Sequence, residues 1–403
     1  MEKNLIRLLR NLNKFKKQNN KNFCYAPFDK IYFGTDGCIK PCCGTTTVFG
    51  NVNDNKIKET YNSNIAQEFR KSFIDGKYPT GCGNCQYHFQ NTNELSDFQK
   101  TYNKYSTTVD INPIIKNQAP TFVDILVSNN CNFACIGCGS NLSSTWAKNY
   151  TDVEQSINQD IRDISPSKEW NVDIDPIIEY VLEHSKTIKT IHLNGGEPFM
   201  QGQFFKLFDA LIDHKLTDTI EINTHTNGSI QTYKGKDIVN DYFSKFKNVS
   251  IIMSLDHFGN KGHYIRYPLQ EQKWLDNYNR IKQVARVDIQ TCYSVFNCQT
   301  FDLFEQWYLD NGMNLDNWDI SIWYGPFAYT PDVIKDNKEY MQNANRALKN
   351  LRKQNNLESF LNAELRNDIT ILKRNFKNSI TLWDKKRNTN FLNTFPELSD
   401  LIC

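Results

Sequence analysis

No stretch of this 403-residue chain holds the roughly 18 consecutive apolar residues that a membrane span needs. The first residues, "MEKNLIRLLRNLNKFKKQNNKNF", lack the uninterrupted apolar stretch of an export signal. Leu5, Ile6, Leu8, Leu9 and Leu12 recur near helical spacing but are broken by lysines and arginines, which reads as a docking helix or arm before a membrane-surface element. Charge of one sign is also lacking: 47 Lys and Arg stand against 45 Asp and Glu, a net charge of +2. No global field draws the chain to nucleic acid or to a membrane. Internal repeats are absent, and no low-complexity tract goes beyond an Asn and Lys bias. The expected compartment is therefore the cytoplasm, where disulfides are rare. Against that background there are twelve cysteines, and clustered cysteines in a reducing compartment bind metal or do redox work.

Length predicts roughly two or three domains. From Thr121 onward, β-branched apolar runs recur: "TFVDILVS", "TIKTIHLNG" (187–195), "TIEINTHTNG" (219–228), "NVSIIMSLDH" (248–257), "VDIQTCYSVF" (287–296) and "NWDISIWY" (317–324). Helical patterns lie between them, as at Ile177–His184, Phe204–His214, Lys273–Val284 and Phe301–Tyr308. Alternation of this kind predicts βα units around a parallel sheet, whose ligands bind at the carboxyl ends of the strands. Cys131, Gly195, Asn227, Asp256 and Asn297 each follow a strand. The polar stretch 150–172 reads as an insertion, and 337–403 as mostly helical.

The densest cysteine cluster is "SNNCNFACIGCGSN" (128–141), with Cys131, Cys135 and Cys138 in the pattern C-x3-C-x2-C. A structural zinc site takes four ligands, and a [4Fe-4S] cube is normally held by four thiolates. Three thiols in a loop after a strand leave one iron free for a ligand.

This loop resembles the signature of the radical S-adenosylmethionine (SAM) enzymes, and further motifs follow in that family's order. "NGGEP" (194–198) is similar to the GGE motif, which implies that Gly195, Gly196 and Glu197 receive the amino group of SAM. "THTNG" (224–228), with Asn227, resembles the third-strand segment. "SLD" (254–256), with Ser254 and Asp256, resembles the residues that contact the ribose. "HYIRY" (263–267) implies that Arg266 pairs with the SAM carboxylate, and "VFN" (295–297) places Asn297 near the adenine and ribose. The family usually has an aromatic or large residue just before the third cysteine; here it is Gly137. The resemblance implies a partial (β/α)6 TIM-like barrel, a SAM-binding [4Fe-4S] cluster on Cys131, Cys135 and Cys138, and reductive cleavage of SAM to a 5′-deoxyadenosyl radical.

A second constellation lies in "FCYAPFDKIYFGTDGCIKPCCG" (23–44) and "GCGNCQYH" (81–88). Its spacings, C-x12-G-x4-C and C-x2-C, resemble the twitch domain, a shortened SPASM domain, with "ETYNS" (59–63) as its helix start. The ligand set implied is Cys24, Cys42, Cys82 and Cys85 around an auxiliary [4Fe-4S] cluster, with Cys43 as the alternate to Cys42. From the residues alone a zinc site stays open there, since C-x2-C fits either metal. The expected division is 1–110 for the arm and auxiliary domain, 111–330 for the barrel and 331–403 for a helical C-terminal extension. His192 and His225 read as structural or as facing the cavity. Cys292 reads as a small core residue, Cys298 as one able to reach the substrate, and Cys403 as incidental.

The expected function is hydrogen abstraction from a peptide or protein substrate. The partners expected are SAM, the substrate, and an electron donor such as flavodoxin or ferredoxin, without membrane or nucleic acid. A small metabolite is the rival substrate. A zinc or iron–sulfur interaction scaffold is the rival of another class.

Overall fold

A computed structural model describes residues 23–54, 57–104, 119–157, 172–323, 325–353, 356–365 and 367–402. The N-terminal arm, the expected boundary at 110/111, most of the polar insertion at 150–172 and Cys403 lie outside the described residues. Three short strands come first: β1 (Lys30–Phe33), β2 (Cys38–Lys40) and β3 (Gly50–Asn51). Then follow β4 (Phe122–Leu126), β5 (Thr190–Asn194), β6 (Glu221–Thr226), a small hairpin of β7 (Thr232–Tyr233) and β8 (Lys236–Asp237), β9 (Val249–Ser254), β10 (Arg286–Tyr293) and β11 (Trp318–Ile322).

The barrel strands pair in parallel in the order β4, β5, β6, β9, β10, β11. The sheet does not stop at β4. β1 pairs with it in parallel, Tyr32 opposite Asp124, and β2 and β3 continue the sheet antiparallel. The first cysteine-rich segment thus adds strands to the barrel's own edge, giving a nine-stranded sheet.

Side-chain alternation sets the two faces. Ile191, Leu193, Ile251, Met253 and Ile289 point outward and are fully buried beneath the helices Asp175–Glu183, Gly202–Asp213, Glu271–Ile281 and Phe301–Asp310. Burying side chains of this size stabilises the fold by roughly 1.5–3 kcal/mol each. The helix starts are encoded locally. Proline occupies the first turn of Asp175–Glu183, where a missing N–H costs nothing. Phe204, Phe205, Leu207, Phe208 and Leu211 make the buried stripe of Gly202–Asp213. The inner face differs: His192, Asn194, His225, Ser254, Gln290 and Cys292 are polar or small and only half-buried. This lumen is not filled with the branched apolar side chains of a closed barrel core.

The C-terminal helix Ile369–Arg387 packs back onto the barrel mouth. Trp383 meets Trp146 edge-on at 4.9 Å, and Arg387 lies 3.6 Å over the Trp383 ring.

Candidate functional site

The loop carrying Cys131, Cys135 and Cys138 is tied down from three sides. Ser143 caps the helix Ser144–Asn149 by accepting from Trp146 N and also donates to the Phe133 carbonyl at 2.6 Å. Trp146 donates its indole N–H to the Cys135 carbonyl at 2.7 Å, and Thr145 its hydroxyl to that of Cys131 at 2.6 Å. The segment 265–267 runs alongside like an extra strand: Ala134 N donates to Tyr267 O and Ile136 N to Ile265 O, both at 2.8 Å. Arg387 closes the third side by donating to the carbonyls of Tyr264, at 2.9 Å, and Ala134. Sequence reasoning missed Arg387 and Trp146. Nothing local to either marks it as a partner of this loop.

Cys131 and Cys135 are buried and Cys138 is half-buried. Burial raises the Cys131 thiol, and the charges of Cys135 and Glu197 push it further up. Cys135 and Cys138 share a hydrogen bond, which lowers the first and raises the second. Burial and neighbouring thiols oppose ionisation of Cys131 and Cys138, and a positively charged iron core, which takes thiolates, would offset that.

Gly195 and Gly196 lie against the cluster loop: Gly196 N donates to Ser128 O at 3.2 Å and Glu197 N to Asn130 O at 2.8 Å. A Cβ on Gly196 would lie 2.4 Å from the Asn130 carbonyl oxygen, and Gly195 has φ +151°, a conformation that favours glycine. Glu197 is fully buried. It accepts from Thr226 Oγ1 and Asn227 N at 2.7 Å and from Phe199 N at 3.2 Å. Burial pushes its carboxyl up to about 7 against the pull of those bonds. The Asn227 side chain donates to Asn132 Oδ1 at 2.9 Å and reaches to 4.0 Å from Cys131 Sγ.

The remaining residues are brought together largely with one another. Arg266 pairs with Asp256, Nε to Oδ2 at 2.8 Å. Asp256 also accepts from Cys292 N at 2.7 Å. Asn297, fully buried, spends its amide on the same corner. It donates to the carbonyls of Asp256 and Cys292 and accepts from Ser294 N. These bonds shape the end of the strand. Ser254 ends β9, half-buried, opposite Gln290. The ring missing at position 137 is replaced in space. Trp323, just past β11, fills that volume so closely that a Cβ on Gly137 would lie 2.3 Å from its ring.

The expectations for the two later cysteines reverse. Cys298 is fully buried with its Sγ 3.5 Å from the Val295 carbonyl, because the chain turns inward after β10. Cys292 falls on the half-buried inner face with Gln290, and burial followed by the Asp256 charge raises its thiol to about 12.

Cys24, Cys42, Cys82 and Cys85 line one cavity with about 370 Å³ of empty space, part of it open to solvent, with Phe69, Phe73 and Tyr102 among its walls. Ser63 caps the helix that carries Phe69 and Phe73. Cys82 stands at the N-terminus of the helix Gly83–Thr92, which carries Cys85. Burial drives the thiols of Cys24 and Cys82 up to about 12, and their cysteine neighbours add to it. Cys43 turns away, its Sγ 3.3 Å from Tyr102 Oη, and Cys38 is not among the lining residues. Among the described residues, no three His, Cys, Asp or Glu side chains close to the spacing of a single metal ion. No described helix is long and apolar enough to cross a membrane.

Two family models match: "Iron-sulfur cluster-binding domain" (SPASM) over residues 24–86 and "Radical SAM superfamily" over residues 125–303. A curated relative, the radical SAM cyclopropyl synthase TigE of Paramaledivibacter caminithermalis, is 27% identical over 53% of this chain and 43% of its own. The chain therefore spans less than half the length of that relative. Among solved structures, Streptococcus suis SuiB bound to S-adenosylmethionine matches loosely, at 14% identity and TM-score 0.39 over 79% of this chain and 69% of that one. Native anSMEcpe with bound AdoMet matches at 14% and 0.38 over 56% and 59%. With the cysteine loop, the motifs around it and both family models in agreement, residues 125–303 are a radical SAM domain, and a SPASM iron–sulfur cluster-binding domain, residues 24–86, stands ahead of it.

Proposed function

We propose that this chain is a radical SAM enzyme that oxidises or rearranges a peptide or protein substrate with the help of an auxiliary cluster. The observation that carries the reading is the cysteine loop: three crowded thiols on a backbone pinned by 265–267, Trp146 and Arg387, and pressed against Gly195–Glu197. When bound, a [4Fe-4S] cluster and SAM supply a 5′-deoxyadenosyl radical that takes a hydrogen atom from the substrate.

The chain's own residues do the rest. Cys131, Cys135 and Cys138 hold the cluster, and Gly195, Gly196 and Glu197 shape the rim beside it. Asn227 stands next to Cys131, and the pair of buried Asp256 and half-buried Arg266 fixes a second corner, with Asn297 tying that corner to β10. Ser254 faces the lumen. This frame excludes water and holds reacting groups in one geometry. Cys24, Cys42, Cys82 and Cys85 hold the auxiliary cluster. Their shared cavity supports Cys42 over Cys43, and the SPASM match supports iron over zinc. A peptide or protein substrate rests on the company SPASM domains keep. The electron donor is of the flavodoxin or ferredoxin kind, and the compartment is a reducing one, the cytoplasm.

The test is anaerobic reconstitution followed by iron and sulfide analysis and a SAM cleavage assay. Two cubes give about eight irons per chain, and 5′-deoxyadenosine forms on reduction. Zinc without iron, or intact SAM, would overturn the reading.

A further inference from the structure

The inner face of the sheet holds a row of polar side chains that the reading above does not use. Asp124 on β4 is buried. It accepts from Tyr102 Oη at 3.2 Å and from Asn194 Nδ2 at 2.7 Å. His192, opposite Asp124 across β4 and β5, has its Nδ1 3.5 Å from Asp124 Oδ1 and 3.2 Å from Asn194 Nδ2. His225 lies beside it, ring to ring at 5.2 Å. The row thus runs from Tyr102, a wall of the auxiliary cavity, to the centre of the barrel.

The pairing favours one tautomer, the Asn194 donor at 3.2 Å being nearer to Nδ1 than the Asp124 oxygen at 3.5 Å. The Asn194 amide nitrogen can only donate, and its 2.7 Å bond to a carboxylate sets which end of the amide faces this way. A donor facing Nδ1 makes Nδ1 an acceptor, so the proton of the neutral imidazole sits on Nε2. That Nε2 is buried and has no protein partner among the described residues. The next residue in the row, Asn223 on β6, is the register partner of His192. Its Oδ1 is likewise buried and unpartnered. Adjacent strands lie about 4.8 Å apart, so a donor and an acceptor stand side by side. An unmade bond at each is a cost that a complementary ligand would remove.

We infer that His192 and Asn223 form an amide-binding subsite in the barrel lumen, taking the edge on which a C=O and an N–H point the same way. One residue of an extended peptide presents that edge, and so does a primary carboxamide. His192 Nε2–H donates to the oxygen, and Asn223 Oδ1 accepts the N–H. Tyr102, Asp124 and Asn194 are positioning residues that hold the imidazole. This subsite rests on the peptide reading above and deepens it: the substrate is gripped by an amide edge rather than by charge.

The experiment uses cluster-loaded full-length chain with 15N-labelled histidine, the His192 signal being assigned by its loss in His192→Gln. The probes are N-acetylglycine N-methylamide for a peptide edge, acetamide for a carboxamide, and N,N-dimethylacetamide, which only accepts. The inference expects an Nε2–H tautomer and a saturable shift with the peptide or the carboxamide. Whichever binds names the source. Dimethylacetamide should bind about 10-fold more weakly, the loss of one hydrogen bond. Asn223→Leu should weaken the peptide probe by about the same factor and leave dimethylacetamide unchanged. A proton on Nδ1, no saturable shift with either amide, or equal binding of dimethylacetamide overturns the subsite, and each is read on the wild-type protein. SAM cleavage is assayed on the same wild-type sample. If it fails while the amide shift persists, the enzymatic reading falls and the subsite stands. If the shift fails while cleavage persists, only the subsite falls.

Discussion

Replacing Gly196 by alanine tests whether the glycine pair serves the cluster loop. The new Cβ would lie 2.4 Å from Asn130 O, 2.6 Å from Asn129 O and 2.6 Å from the Asn130 carbonyl carbon. All three are backbone atoms of the loop that leads into Cys131, so no flexible side chain can yield. Ordinary contact begins near 3.4 Å, and 3.4 − 2.4 leaves 1.0 Å to be opened. A retreat of that size breaks the bonds from Gly196 N to Ser128 O and from Glu197 N to Asn130 O. Two bonds at about 1 kcal/mol each, with about 1–3 kcal/mol of overpacking, give a loss of about 3–5 kcal/mol. With a urea slope of about 3 kcal/mol/M the midpoint falls by about 1 M or more. Because Cys131 follows Asn130 directly, reconstituted iron should also drop by about four per chain. Gly83→Ala is the control, since nothing lies within 4 Å of a Cβ there, and it should be neutral or slightly stabilising. A Gly196→Ala protein with wild-type midpoint and full iron would refute the argument.

Cys131→Ala, Cys135→Ala or Cys138→Ala should abolish SAM cleavage and remove about four irons while the protein stays folded, as read by 5′-deoxyadenosine yield, iron analysis and circular dichroism. Cys82→Ala should spare substrate-free SAM cleavage but stop product formation, and full product would reduce the auxiliary site to a structural one. Cys42→Ala should lose the auxiliary iron and Cys43→Ala keep it, since Cys42 lines the shared cavity and Cys43 faces Tyr102. The opposite pattern in iron content would exchange their roles. His225 is held neutral, down to about 3, by burial and then by the His192 charge. Its stability contribution is full above the unfolded value near 6.5 and is lost as pH falls from there toward 3. His225→Gln should therefore narrow the gap between urea midpoints at pH 7.5 and pH 5, and an unchanged gap would contradict the assignment.

What the sequence made legible was local in the chain. The three thiols of 131–138 share one loop, so their spacing alone shows that they meet. The barrel strands announce themselves because β-branched runs such as "TIEIN" and "VSIIM" bury one face at period two. The auxiliary set was legible in part. Cys82 and Cys85 sit on one helical turn, but Cys42 and Cys43 are neighbours, and only the turn after β2 shows which faces the cavity.

The remainder depends on contacts between residues far apart in sequence, and these carry no local mark. Arg387 reaches the carbonyl of Ala134 across 253 positions, and its own surroundings read as an ordinary basic helix end. Gly137 read as a departure from the family pattern because the compensating ring, Trp323, comes from the far edge of the sheet. Asn297 stands out by its order along the chain, but its bonds to Asp256 and Cys292 are a fact that only the turn after β10 reveals. The same reasoning explains why β1 was not foreseen as a barrel neighbour. "KIYF" is too short to distinguish an auxiliary-domain strand from one that completes the sheet edge. Yet that pairing sets Tyr32 opposite Asp124, and Tyr102, a wall of the auxiliary cavity, reaches the same carboxylate, so one buried side chain of β4 ties the two cysteine-bearing parts of the chain together.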